Sequence, residues 1–187
     1  LLASQSARLD FLDLGGGGSA TLLRLPSGVT VLIDGGPSGP ALEAALAGKL
    51  PFWHRAIDLA IATDLRPGDM TGLQDAVGHF AITQAADAGM AHPDPDYLAW
   101  LDALTSDGAH HQQIRQSDTL ALDANSVLRV LSPPQPLFPS GEGDTIEAND
   151  LILRLEMPGL RVLLLGAADN YALDALNGSG EPLTADV

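Results

Sequence analysis

The chain has 187 residues, 45% of them hydrophobic, with 9 basic against 24 acidic side chains for a net charge of −15. Such a length and apolar content fit one globular domain with a real core, and no stretch reaches the ~20 consecutive apolar residues that cross a bilayer. The charge disfavours direct nucleic-acid binding, which rests largely on Lys and Arg contacts to phosphate, and the lack of cysteine excludes disulfides, thiolate ligands and a thiol nucleophile.

In chain order, residues 1–7 read as a linker and Arg8 to Leu14 as a strand, after which Gly15 to Ser19 turns the chain. Ala20 to Leu25 is a second strand, and Pro26-Ser27-Gly28 turns tightly into Val29 to Ile33, which Asp34-Gly35-Gly36-Pro37 ends abruptly. Ala41 to Leu50 has helical composition, with Leu42, Leu46 and Leu50 on one face. The near-continuous apolar run Ile57 to Ala62 predicts a strand covered on both faces.

Met70 to Gly78 reads as helix and Phe80 to Thr83 as a short strand. Asp94-Pro95-Asp96 opens a helix to about Leu104, with proline in its first turn. The pattern is β-like from Asp118 to Leu131, and residues 133–149 form a Pro/Gly/acid-rich flexible loop. Leu151 to Glu156 and Leu160 to Leu165 predict a hairpin around Met157-Pro158-Gly159, followed by a short helix from Asn170 to Leu176. Thr184 to Val187 looks like a strand cut short. Strand pairs alternating with single helices predict an α/β fold with mixed sheets, the β-rich stretches 8–62 and 112–165 forming two halves of a sandwich.

Chemistry concentrates in Thr63-Asp64-Leu65-Arg66-Pro67-Gly68-Asp69-Met70-Thr71-Gly72-Leu73, between a buried strand and a helix. Two carboxylates there, Asp64 and Asp69, could hold a hard cation such as Mg²⁺ or Ca²⁺. Arg66 stands between them and can pair with either, which predicts a salt-bridged site in place of a metal.

Other candidates have simpler readings. His92-Pro93-Asp94-Pro95-Asp96 has metal-motif spacing but fits a helix start. His110 and His111 are adjacent, so on extended chain they point to opposite faces and are expected to be solvated loop residues. The glycine run lacks the lysine of a phosphate loop and reads as a turn with positive φ. Ser19 and Ser27 have no evident His/Asp partners, and Trp53 and Trp100 read as core or helix-face aromatics.

Four blocks together resemble the carboxy-terminal metallo-β-lactamase-like domain of ComEC-type DNA-internalisation (competence) proteins. Phe11 to Leu23 is similar to F-L-D-V-G-Q-G-D-A-T-L-L, and Pro26-Ser27-Gly28 with Val31 to Pro37 to P-S-G-x-x-x-L-I-D-G-G-P. Leu50-Pro51-Phe52-Trp53 before Ile57-Asp58-Leu59 is similar to L-P-F-W-x-R-x-I-D-L, and Asn149 to Leu155 with Leu163 to Gly166 to N-x-x-S-L-V-L-R-L and L-L-x-G-D. The blocks keep their order and cover almost the whole chain. The resemblance implies an αββα sandwich of two mixed sheets flanked by helices, with a zinc or manganese site at one sheet edge. It also implies a hydrolase or nuclease activity and a place as an extracytoplasmic soluble domain of an inner-membrane DNA-uptake channel.

Against the family's metal loop T-H-x-[H/D]-x-D-H-x-G-G-L, Thr63, Gly72 and Leu73 keep the frame. The ligand places read Asp64, Arg66, Gly68 and Asp69. Ala167 stands where the family has a bridging Asp, and Ser19 replaces the Asp of G-Q-G-D. Asp34 occupies the place of an Asp that braces the loop. The family's last ligand falls beyond Val187, and the start at Leu1 predicts an excised domain of a longer protein. The expectation is therefore a domain without metal cofactor or hydrolysis, whose partners are other domains of a parent membrane channel or another protein. A phosphodiesterase using Asp64 and Asp69 is the alternative.

Overall fold

The computed structural model describes residues 6–16, 18–66, 70–90, 95–139, 147–180 and 182–187, and of Ser19 only the backbone. Gly68, Asp69, His92 and Asp94 lie outside the described residues, as do positions 140–146 of the 133–149 loop. The chain divides into two compact units.

The first unit is built on a six-stranded sheet in the order β1 (Arg8–Asp13), β2 (Ser19–Arg24), β3 (Thr30–Ile33), β4 (Ala56–Ala62), β5 (Ala81–Asp87) and β6 (His110–Gln113). β1, β2 and β3 pair antiparallel, while β3 and β4 are parallel and joined through helix α1 (Gly39–Ala47). All four residues of β3 are buried, as a strand covered on both faces requires. The Ser38 hydroxyl caps α1 by accepting from the Ala41 amide at 3.3 Å, and Pro40 sits in the first turn where its missing N–H costs nothing. α1 packs on α2 (Thr71–His79), and α2 on α3 (Pro95–Asp107). α3 buries Tyr97, Trp100 and Leu104, a stripe at helical spacing.

The second unit carries a four-stranded antiparallel sheet in the order β10 (Leu160–Leu164), β9 (Ile152–Met157), β8 (Val127–Ser132) and β7 (Thr119–Ala121). Helix α4 (Asn170–Gly178) is capped by Asp169, which accepts from the Ala172 amide at 2.8 Å. Its buried Ala172 and Leu176 join Leu131 and Ile152 in one apolar cluster. On the same sheet Glu156 accepts from Arg129 and Arg154, at 2.9 and 2.8 Å. The final residues run along β10, with the Leu163 amide donating to the Val187 carbonyl and the Asp186 amide to the Arg161 carbonyl, both at 2.8 Å.

This is the expected mixed α/β architecture of two sheets flanked by helices. Several elements differ in detail from the sequence reading. The helix expected over 41–50 runs Gly39–Ala47, because Ser38 and Pro40 start it earlier. The short strand at 80–83 extends to Asp87, and the single β-like stretch 118–131 is two strands about a turn. His110 and His111 are not loop residues: they form β6, where His111 is half-buried and meets Trp100 edge to face at 5.9 Å. Trp100 is fully buried as expected, whereas Trp53 is 71% exposed in a turn and belongs to no core. Within 133–149 the described part is anchored, since the Phe138 amide donates to the Asn149 side chain at 2.9 Å and the Asn149 amide returns a bond to the Phe138 carbonyl at 3.2 Å.

Candidate metal-loop site

In the first unit, β3 ends at Asp34, which adopts φ 61°, a left-handed conformation that costs a non-glycine residue on the order of 1 kcal/mol or more. Its amide donates to the Ile61 carbonyl at 2.8 Å, so the end of β4 helps to hold the strained residue in place. The side chain is half-buried and engaged.

The following Gly35 and Gly36 lie directly against the start of α2. This helix begins at Met70 without a side-chain cap, and the Gly72 amide instead donates to the Gly36 carbonyl at 2.9 Å. A backbone carbonyl thus satisfies one of the orphan amides of a helix N-terminus. The approach is close enough to require glycine on both sides. A β-carbon at Gly72 would collide with the Gly35 carbonyl oxygen and lie 2.6 Å from its carbon; one at Gly35 would collide with the Leu73 amide. The β1–β2 turn closes on the same place, since a β-carbon at Gly18 would run into Pro37.

In the second unit, the Thr63 carbonyl accepts from the Leu151 amide at 3.0 Å. Gly166, at φ 59°, packs so closely on Thr63 that an added β-carbon would lie 3.0 Å from its hydroxyl oxygen. Asp64 and Ala167 are the next residues along each segment, so this unit brings their two segments together. Asp64 is buried at 9% exposure and Ala167 is exposed. Arg66 is half-buried and groups with the first unit, whereas Asp64 groups with the second. Both are engaged rather than free. Asp69 lies outside the described residues, so its place in the expected salt-bridged site has no structural counterpart here.

Two further acids in the second unit, which sequence reading passed over, are nearly inaccessible. Asp87 is fully buried at the end of β5, where its carboxylate accepts from the Gly89 amide and its carbonyl from the Ile114 amide. Asp150 is 1% exposed beside Leu151. The only sequence signal for either was an acid bordering an apolar run.

The donor set does not fit zinc. The ligand places carry two carboxylates, a guanidinium, a glycine and a methyl group, with no imidazole or thiolate among them. A guanidinium is always charged and cannot donate a lone pair. Among the described residues no three His, Asp or Glu side chains are grouped so as to hold a metal ion.

Solved structures share this fold. Rm3 metallo-β-lactamase matches with a TM-score of 0.54 and 19% identity, over 95% of this chain and 73% of its own. MEM-A1, a subclass B3 metallo-β-lactamase isolated from a soil metagenome library, matches at 0.53 with 13% identity, over 95% and 72%. A metallo-β-lactamase with an HARLDQ motif from Cronobacter sakazakii matches at 0.54 with 14% identity, over 89% and 60%. The chain has the metallo-β-lactamase fold. It spans 60–73% of the length of these three structures. No family model matches the chain, and no curated protein matches it.

Proposed function

We propose that this is a metallo-β-lactamase-fold domain that has kept the frame of the metal loop and lost the metal, and that it acts by structure or partner binding rather than by hydrolysis. The observation that carries the reading is a contrast within one loop. The glycine contacts of Gly35 and Gly72 and the Thr63–Leu151 bond are intact, while the ligand places read Asp64, Arg66, Gly68, Asp69 and, after Gly166, Ala167. On this reading Arg66, between Asp64 and Asp69 in the sequence, supplies the positive charge that a cation would otherwise bring.

The four sequence blocks support the narrower reading, a soluble domain of a ComEC-like DNA-uptake membrane protein on the extracytoplasmic side. In keeping with it, no helix among the described residues is long and apolar enough to cross a membrane. Its partners are then the parent channel's other domains or a separate protein, and the net charge of −15 argues against DNA on this surface. The test is metal content by ICP-MS after dialysis against Zn²⁺ and Mn²⁺. Metal well below one per chain is expected; a stoichiometric metal together with phosphodiesterase activity lost in D64N and D69N would establish the hydrolase instead.

A further inference from the structure

Phe52 and Trp53, in the turn between α1 and β4, are 83% and 71% exposed, the most exposed aromatic side chains among the described residues. They meet edge to face at 4.8 Å. Exposed apolar side chains that lie together, rather than scattered singly, mark a binding surface. Beside them lies a groove of about 430 Å³, within the range of small-molecule sites. Its floor is the buried Leu46, Leu50 and Phe80, and Ala44 and Phe52 edge it.

One cation addresses this apolar groove. Arg55 lies over the Phe80 ring, 6.0 Å from its centre, and no carboxylate pairs with it among the described residues. Arg8, Arg115 and Arg161 also have no carboxylate partner among the described residues, but Arg55 alone of these four lines the groove. The groove's acid, Glu43, is held 2.6 Å from His79, and His54 is hydrogen-bonded to Thr30 at 3.2 Å. The guanidinium of Arg55 is the group left to receive an anion.

We propose that this groove binds a small amphiphile bearing one carboxylate, its apolar tail along Leu46, Leu50 and Phe80 and its carboxylate on Arg55. A concave floor suits a discrete ligand better than a flat bilayer. The charge of −15 opposes both an anionic lipid surface and a second copy of the chain.

The two tryptophans supply the assay, because Trp53 is exposed and Trp100 fully buried. Decanoate below its micelle-forming concentration is expected to shield Trp53 saturably from acrylamide quenching. Decyltrimethylammonium, which the bulk charge favours, shields it less. R55Q weakens decanoate about fivefold, as loss of one exposed charge-assisted contact does, and A44F, which adds no tryptophan, fills the groove and abolishes binding. Circular dichroism of both variants shows that they are folded. The proposal is overturned by equal shielding from the cation, by R55Q binding as tightly as wild type, or by no shielding from decanoate. It is equally overturned if phosphatidylcholine vesicles shield Trp53 where decanoate does not, or if the free chain is a dimer with Trp53 already protected.

Discussion

In the first unit the Asp34-Gly35-Gly36 turn meets the start of α2 so tightly that a β-carbon on Gly35 or Gly72 would collide with backbone; in the second the approach is looser, a β-carbon on Gly166 lying 3.0 Å from the Thr63 hydroxyl and 3.2 Å from the Leu151 carbonyl. The first contact holds the start of α2 and the second holds Thr63, and neither is made by the side chain of Asp64 or Arg66. Fold and chemistry are therefore carried by different atoms. On the proposed reading, the side chains at the ligand places can change without loosening these backbone contacts, whereas the glycines cannot.

The comparison is broken most severely at Gly72. G72A forces a β-carbon onto the Gly35 carbonyl and also disturbs the Gly72–Gly36 bond at the start of α2. Overpacking against backbone is expected to cost about 3 kcal/mol or more, lowering Tm by roughly 6–12 °C in a chain of this size. G166A is milder: its left-handed φ and the 3.0 Å approach to the Thr63 hydroxyl are expected to cost about 1–2 kcal/mol, with Tm falling by roughly 2–8 °C. Thermal unfolding of the two variants side by side gives the ranking, and a G166A loss equal to that of G72A would remove the distinction between the tighter and the looser approach.

A smaller effect separates the units by pH. Burial pushes the Glu156 carboxyl up, but hydrogen bonds and charge from Arg129 and Arg154 outweigh it and hold the group below its usual range. Asp10 is held low by hydrogen bonds from Lys49 and Arg24. With folded pKa values below the unfolded ones, the unfolded chain binds protons first. Their stabilisation is complete above the ordinary carboxylate range of ~4–4.5 and is lost as pH falls through the depressed folded values. Urea unfolding between pH 6 and 3 is expected to show that acid limb, flattened in part by E156Q and in part by D10N. The smallest change is expected at Trp53: W53S, on an exposed turn, leaves stability within about 0.5 kcal/mol, and a larger loss would mean that the indole packs on something.

Much of the fold was legible because apolar runs such as Val29 to Ile33 and Ile57 to Ala62 admit few readings. β6 was not, since His110-His111-Gln112-Gln113 has no strand character of its own and owes its conformation to the strand beside it. Trp53 misled because Leu50-Pro51-Phe52-Trp53 is apolar in composition, and composition does not reveal that a turn faces water. The start of α1 could have been read from Ser38 and Pro40. At the candidate site, sequence named the glycines and the changed ligand places. That Gly35 meets Gly72 and that Thr63 meets Gly166 are long-range facts that no local pattern encodes.

The central claim is that the frame persists while the ligands are gone, and metal content measured on the native chain beside D64H/R66H/G68D/D69H/A167D tests it most directly. The native chain is predicted to retain well under one zinc per molecule and the substituted chain close to one. A native chain with stoichiometric zinc would contradict the loss of ligands, and a folded but metal-free substituted chain would contradict the persistence of the frame.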